Sequence, residues 1–136
     1  MEGYLIRPIG HVESPLTDCE AAPRQGADGA PDADLIFDDD IAVGLRDLTV
    51  GTDVILLTWL DRASRDVLVV HPRGDTTRPR EGVFSTRSPA RPNPIGLHRV
   101  HILAIDGSRV RVGPLEAIDG TPVIDVKPVL DADPTR

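Results

Sequence analysis

Gly82 to Leu97 reads G-V-F-S-T-R-S-P-A-R-P-N-P-I-G-L, with three prolines, two arginines and an asparagine set between two apolar, strand-like runs. Each proline locks φ and removes an N–H, and the residue before each one (Ser88, Arg91, Asn93) is pushed to extended geometry. Neither a helix nor a central strand can run through Ser88–Pro94, so the segment is a stiff loop between strands. Arg87, Arg91 and Asn93 ride on it. Conformational freedom lost in advance need not be lost on binding, which makes the loop a candidate for positioning a ligand. The bland alternative is prolines that only end strands and arginines that sit in solvent.

On either side of this loop the chain alternates short apolar runs with turns. Tyr4–Val12 reads as a first strand ending at Ser14-Pro15. Thr17–Asp34, rich in Ala, Gly, Pro and Asp, reads as a long loop in which Pro23-Arg24-Gln25-Gly26 is a basic and polar island. Asp38-Asp39-Asp40 followed by Ile41, Leu45 and Leu48 gives one short amphipathic helix with acids at its start. Capping and the helix dipole explain that aspartate run more cheaply than a metal does.

Asp53–Leu60 is an almost continuous apolar run, expected as a strand buried on both faces. Asp66–Val70 is a shorter strand, and His71–Arg80 is a turn-rich basic loop. Beyond the rigid segment, Ile95–Ile105 is strand-like and Asp106-Gly107-Ser108 turns it into Arg109–Val112. Leu115–Ile118, a turn at Asp119-Gly120 and Pro122–Val129 complete the chain. This pattern predicts a mainly β fold, a single domain over residues 1–136 that is barrel-like or an open sheet curled on itself, with one short helix.

The chain has 136 residues, enough for one domain with a real core and too few for two. Tyr4, Phe37, Trp59 and Phe84 are its only aromatics, too few for the base-stacking platforms of an RRM or OB-fold. Cys19 is the only cysteine, which excludes an internal disulfide and a cysteine-based zinc site and suits a reducing compartment. No apolar run is long enough for a signal peptide or a membrane span, so the expectation is a cytoplasmic protein.

Net charge is −7, but it is unevenly spread: residues 1–61 carry 13 acidic and 3 basic side chains, whereas residues 62–111 carry 4 and 10. A basic middle third around the rigid loop suits an anionic ligand or RNA.

Several kinds of site are excluded because their parts are missing. There is no G-x-G-x-x-G, no G-x-x-x-x-G-K-[ST], no H-E-x-x-H and no G-x-S-x-G. His98 and His101 lie three apart on a presumed strand and so face opposite sides, which argues against a shared metal; each reads as a packed or surface histidine. A polar constellation remains in L-E-A-I-D-G-T-P-V-I-D-V-K-P. Its Asp125 and Lys127 share one strand face and are placed either to pair or to hold a ligand.

Three segments in order, Pro23–Gly26, S-T-R-S-P-x-R-P-N-P-I-G-L and D-G-T-P-V-I-D-V-K-P, resemble the TrmO/YaeB/TsaA-type family of S-adenosylmethionine-dependent tRNA methyltransferases, over Leu5 to Leu130. The resemblance implies a compact β-barrel-like methyltransferase unrelated to the Rossmann type, working as a homodimer without a metal. The implied reaction is N6-methylation of threonylcarbamoyladenosine next to the anticodon of threonine tRNA. By motif match, S-adenosylmethionine would touch Arg24, Gln25 and Gly26, then Arg87 and Leu97, and finally Leu115 and Glu116; Asp61 and Arg62 join them by position, at the end of the strand beside the cofactor. Arg91, Asn93, Asp125 and Lys127 would serve the methyl acceptor. Arg24 or Arg87 suits the cofactor's carboxylate, and Glu116, Asp119 and Asp125 are candidates for facing its cationic groups or for general base.

Two departures stand out. Many members end the strand corresponding to Asp53–Leu60 with an aromatic residue and a histidine, where this chain has Asp61-Arg62; and the chain ends where bacterial members continue into a C-terminal domain, which makes it a short form. Three functions follow as alternatives: a tRNA methyltransferase, a methyltransferase of the same fold acting on a small molecule or another RNA, and a non-enzymatic module that binds S-adenosylmethionine.

Overall fold

In the computed structural model, which describes residues 2–18 and 29–130, six strands close into a barrel: β1 (Gly10–Glu13), β2 (Ala33–Phe37), β3 (Asp53–Trp59), β6 (Ile95–Asp106), β7 (Arg109–Gly113) and β8 (Pro122–Pro128). The order around the barrel is β1-β2-β7-β6-β3-β8, with β8 returning to β1. Every pairing is antiparallel. The two-residue strands β4 (Val69–Val70) and β5 (Glu81–Gly82) form a separate small hairpin.

The barrel forms because its strands alternate. Inward positions carry Val12, Leu35, Phe37, Val54, Leu56, Val100, Ile102, Val110, Val112 and Val123, all buried. Closure brings β1 hard against β2: a Cβ on Gly10 would stand 2.3 Å from the Ile36 carbonyl oxygen, so only glycine fits there. The β6–β7 hairpin turns at Gly107-Ser108 between the paired Asp106 and Arg109, and Gly107 adopts a φ of 60° that other residues adopt at a cost.

Four expectations need correction. The first strand is only Gly10–Glu13; Tyr4 and Leu5 are almost fully exposed, because Pro8 has no N–H to give a ladder and Ile9 makes the first bond, to the Val123 carbonyl at 2.8 Å. Asp66–Val70 contracts to Val69–Val70. Leu115–Ile118 is not a strand, although Leu115, Ala117 and Ile118 are buried. Its backbone bonds go to loop ends instead of a ladder, Leu115 N–H to Pro31 O at 3.0 Å and Asp119 N–H to Leu16 O at 2.7 Å. Ala33–Phe37 is a strand where a loop was expected up to Asp34, with Ala33, Leu35 and Phe37 pointing inward.

The helix is present as a 3-10 turn, Asp39–Leu45. Ile41, Leu45 and Leu48 pack against the core as the spacing predicted. Asp38 makes no side-chain cap, however, and Asp40 pairs with Arg7. Asp53–Trp59 is buried on its inner face and in part on its outer one, where Ile55 is buried and Leu57 and Trp59 are half-buried.

Strand direction gives the barrel two unlike ends. At one lie the β6–β7 turn and the connection through the 3-10 segment, residues 38–52. From the other leave all three remaining connections: 14–32 between β1 and β2, 60–94 between β3 and β6, and 114–121 between β7 and β8. Almost every candidate site residue lies on these three. Among the described residues no helix is long and apolar enough to cross a membrane.

Candidate functional site

The rigid loop occupies the open end and is stitched from within. Val83–Ser85 forms a 3-10 turn, and irregular backbone follows to Pro94. Arg91 donates from Nη1 to the carbonyls of Thr86 (3.0 Å) and Ser88 (3.1 Å) and from Nη2 to that of Val83 (2.8 Å). Prolines strip this segment of N–H donors, and a guanidinium replaces them. Arg65 donates from Nε to Pro92 O at 2.8 Å and from Nη2 to Asn93 Oδ1 at 3.1 Å, with its guanidinium 5.1 Å from the Trp59 ring centroid. Leu60 N–H to Pro94 O at 2.8 Å fastens the loop to the end of β3.

Arg91 is thus engaged with the loop itself, and Asn93, exposed, accepts from Arg65. Arg87 is exposed on the same loop. Asp61 and Arg62 are exposed just past β3, and Arg62 Nη1 reaches the Thr17 carbonyl at 3.3 Å, at the mouth of the first loop. Arg24, Gln25 and Gly26, farther into that loop, lie outside the described residues.

The 114–121 connection crosses the same end and ties both limbs of the first loop together. Besides its bonds to Pro31 and Leu16, it receives Ser14 N–H on Asp119 Oδ1 at 3.0 Å and gives Gly120 N–H to Val12 O at 2.7 Å. Gly120 has a φ of 83°, which the Asp-Gly turn requires. An open depression of about 680 Å³ sits here, lined by Glu13, Asp32, Asp34, Arg111 and Asp119 among others.

The sequence reading missed a buried polar chain beneath this end. Gly96, His98, Val100 and Ile102 are the inward positions of β6, and His98 lies across the barrel wall from β3. Thr58 Oγ1 is 2.7 Å from His98 Nε2, and His98 Nδ1 is hydrogen-bonded to Glu116 Oε1. Thr58 is fully buried and the His98 side chain is 4% exposed, while the Glu116 side chain, at 17%, reaches toward solvent. Glu116, a predicted cofactor contact, is thereby tied to β6, while Leu97, the neighbouring residue on that strand and another predicted contact, lies on its outer face. The period-2 inward row on β6 was the available signal for His98; nothing in the sequence pointed to Arg65.

Asp125 and Lys127 lie on the outer face of β8. They pair, Nζ to Oδ2 at 3.3 Å, as their spacing allowed. In register, Leu57 stands between Leu97 and Asp125, so this pair flanks the same barrel wall that carries Leu97. Among the described residues, no three His, Cys, Asp or Glu side chains converge as metal ligands.

The family model for the tRNA-methyltransferase O N-terminal domain matches residues 11–133. The chain belongs to that family. It is 46% identical over 123 residues to an S-adenosyl-L-methionine-binding protein of Archaeoglobus fulgidus, covering 90% of this chain and 87% of that protein. A probable S-adenosyl-L-methionine-binding protein of Methanothermobacter thermautotrophicus is 43% identical over the same length, 90% of this chain and 88% of its own. A crystal structure of TrmO superposes with a TM-score of 0.77 at 28% identity, over 99% of this chain and 62% of that one. TrmO from Pseudomonas aeruginosa gives 0.75 at 28%, over 99% and 61%. The chain spans about three-fifths of the length of these solved TrmO chains. Membership accounts for the missing G-x-G-x-x-G, since a TrmO-type barrel of antiparallel strands has no strand–helix–strand crossover to carry it.

Proposed function

We propose that the chain is an S-adenosylmethionine-dependent methyltransferase acting on tRNA, at N6 of threonylcarbamoyladenosine next to the anticodon, and working as a homodimer. The observation that carries this reading is the convergence of the rigid loop, the first-loop mouth and the Leu115–Ile118 segment at one barrel end, in a chain of the TrmO family.

The residues fit the cofactor's chemistry. Its carboxylate suits a guanidinium, and Arg87 stands exposed on a loop that Arg91 and Arg65 hold rigid. Of the three candidate carboxylates, Asp119 accepts from Ser14 and Asp125 pairs with Lys127. Glu116 is half-buried with one oxygen bonded to His98, which leaves the other for an ammonium, a sulfonium or a ribose hydroxyl. Leu97, half-buried, supplies apolar surface, Leu115 is buried in the core and offers backbone only, Asp61 and Arg62 stand beside the first-loop mouth, and Arg24, Gln25 and Gly26 are included on the motif resemblance alone. When bound, S-adenosylmethionine supplies a methyl group that moves from sulfur to nitrogen in line, one C–S bond breaking as a C–N bond forms. The acceptor is a ureido nitrogen with a delocalised lone pair, so this chain's contribution is to orient it and to let its proton leave. The arginines of residues 60–94, among them Arg73, Arg78 and Arg80, supply cations for tRNA phosphates, with Arg91, Asn93, Asp125 and Lys127 nearer the acceptor.

The test is transfer of labelled methyl from S-adenosylmethionine to tRNA with and without the threonylcarbamoyl group. Label in the modified tRNA alone is expected. Saturable cofactor binding with no label in either tRNA would favour the second reading, a binding module without turnover; the Archaeoglobus relative is named for S-adenosyl-L-methionine binding.

A further inference from the structure

The His98 side chain is nine-tenths or more buried, belongs to no part of the reaction above, and has both ring nitrogens engaged. We propose that His98 is a positioning residue: through Thr58 on one side and Glu116 on the other, it fixes the carboxylate and backbone of the Leu115–Ile118 segment at the open end of the barrel. The inference rests on the reading of Glu116 as a cofactor contact only for its functional consequence; the positioning itself is a property of the protein alone.

Three observations support it. First, one arrangement of protons satisfies the whole chain: Thr58 O–H donates to Nε2, and Nδ1–H donates to Glu116 Oε1. Imidazole has a fixed ring, so anchoring one nitrogen on the β3 wall aims the other. Second, the space is reserved. A Cβ on Gly96 would stand 2.3 Å from Thr58 Oγ1 and 2.6 Å from His98 Nε2, so the glycine of P-N-P-I-G-L is a glycine because this hydrogen bond occupies its side-chain volume. The rigid motif and the buried chain are therefore one construction. Third, Leu115–Ile118 has no ladder partner: the backbone bonds of the connection lie at its two ends, Leu115 N–H to Pro31 O at one, and Asp119 N–H to Leu16 O and the Gly120 and Thr121 bonds to Val12 of β1 at the other. Among the described residues, Glu116 to His98 is the side-chain bond that ties this connection to the barrel wall.

The experiment compares the full chain with His98→Leu, His98→Asn, Glu116→Gln and the His98→Leu/Glu116→Gln double variant. Asparagine carries an N–H near the place of Nδ1–H and so restores the donor to Glu116, while leucine fills the volume without it. In cofactor-free protein, nitrogen NMR of the ring is expected to show Nδ1 protonated and Nε2 accepting. Amide exchange at Leu115–Ile118 is expected to quicken about tenfold in His98→Leu, with His98→Asn close to wild type and the Phe37 amide at the other end unchanged. In titrations with S-adenosylmethionine, His98→Leu is expected to weaken binding about tenfold and His98→Asn about threefold at most, and Glu116→Gln is expected to cost less in the His98→Leu background than in the wild-type chain, because a carboxylate no longer held in place has less to lose.

Unchanged exchange and affinity in a folded His98→Leu, or equal damage from Leu and Asn, would overturn the proposal and reduce His98 to packing. Should His98→Leu not fold, Thr58→Val carries the same exchange comparison against His98→Asn, and no quickening at Leu115–Ile118 in Thr58→Val would overturn it. A wild-type chain that shows the expected ring protonation and exchange but binds no S-adenosylmethionine would uphold the positioning and remove the cofactor reading of the site.

Discussion

The closed end of the barrel, at the Gly107-Ser108 turn, and the open end, where three connections leave, stand on the same six strands and the same apolar core, yet they are finished by different means. At the closed end backbone groups satisfy one another over short distances: Phe37 N–H to Ser108 O at 2.9 Å, Gly51 N–H to Ile102 O at 2.8 Å, Asp38 N–H to Ile9 O at 2.9 Å. At the open end backbone bonds such as Leu60 N–H to Pro94 O are joined by side chains that hold whole loops. Arg91 caps the carbonyls of Val83, Thr86 and Ser88, Arg65 clamps Pro92 and Asn93, and His98 links Glu116 to Thr58. Backbone-to-backbone finishing holds a fold and offers nothing to a ligand, whereas side-chain finishing leaves oriented charge at the surface. Substitutions at the closed end should therefore cost stability, and those at the open end should cost ligand affinity as well.

The largest effect should come from the closed end. Phe37 is 3% exposed and ends β2 beside the hairpin turn, so Phe37→Ala should cost about 3–5 kcal/mol in a urea titration, with the cofactor affinity of the folded fraction unchanged. An affinity loss in the folded fraction would break the division between the ends. Gly96→Ala follows: the new methyl overlaps the Thr58–His98 hydrogen bond and should cost about 1–3 kcal/mol together with affinity. Its counterpart Gly44→Ala, in the 3-10 segment with open space around it, should change stability by under about 1 kcal/mol and affinity not at all.

Arg91→Lys keeps the charge and loses the fan of donors, so about 1 kcal/mol of stability and a measurable part of the cofactor affinity should go together. Unchanged affinity would show that the loop's rigidity serves the fold alone. The smallest effect concerns Asp53, at the start of β3 toward the closed end, whose carboxyl is held below its ordinary value by hydrogen bonds from His101 and then Arg99. A depressed carboxyl stabilises the fold above its unfolded value, 3.8 here, and that contribution is lost as pH falls through the folded value. Asp53→Asn should lower the unfolding free energy from a urea titration at neutral pH by under about 1 kcal/mol at this exposure, and match wild type in acid.

The strands with unbroken patterns were legible in the sequence. Asp53–Trp59, the Ile95–Gly113 hairpin and Pro122–Pro128 announce themselves by apolar runs and an Asp-Gly-Ser turn, and Ser88–Pro94 by its prolines. Ala33–Phe37 was obscured by the Ala- and Asp-rich loop leading into it, although Ala33, Leu35 and Phe37 already carried the period of two. Leu115–Ile118 misled in the other direction, since burial made it apolar while its hydrogen bonds go to loop ends, a distinction no local pattern contains. At the candidate site, the residue types on the rigid loop were legible and their division of labour was not. That Arg91 braces the loop depends on where Val83, Thr86 and Ser88 place their carbonyls, and the bond from His98 to Glu116 depends on a connection folding back across the barrel mouth.

The most direct test of the account is a titration of the isotope-labelled chain with S-adenosylmethionine, followed by amide NMR. The account predicts saturation at one site per chain, with shifts concentrated in residues 60–97 and 114–121 and the amides of 38–52 and 106–109 unmoved. Shifts centred on the Gly107-Ser108 end, or none at millimolar cofactor in a folded protein, would contradict it.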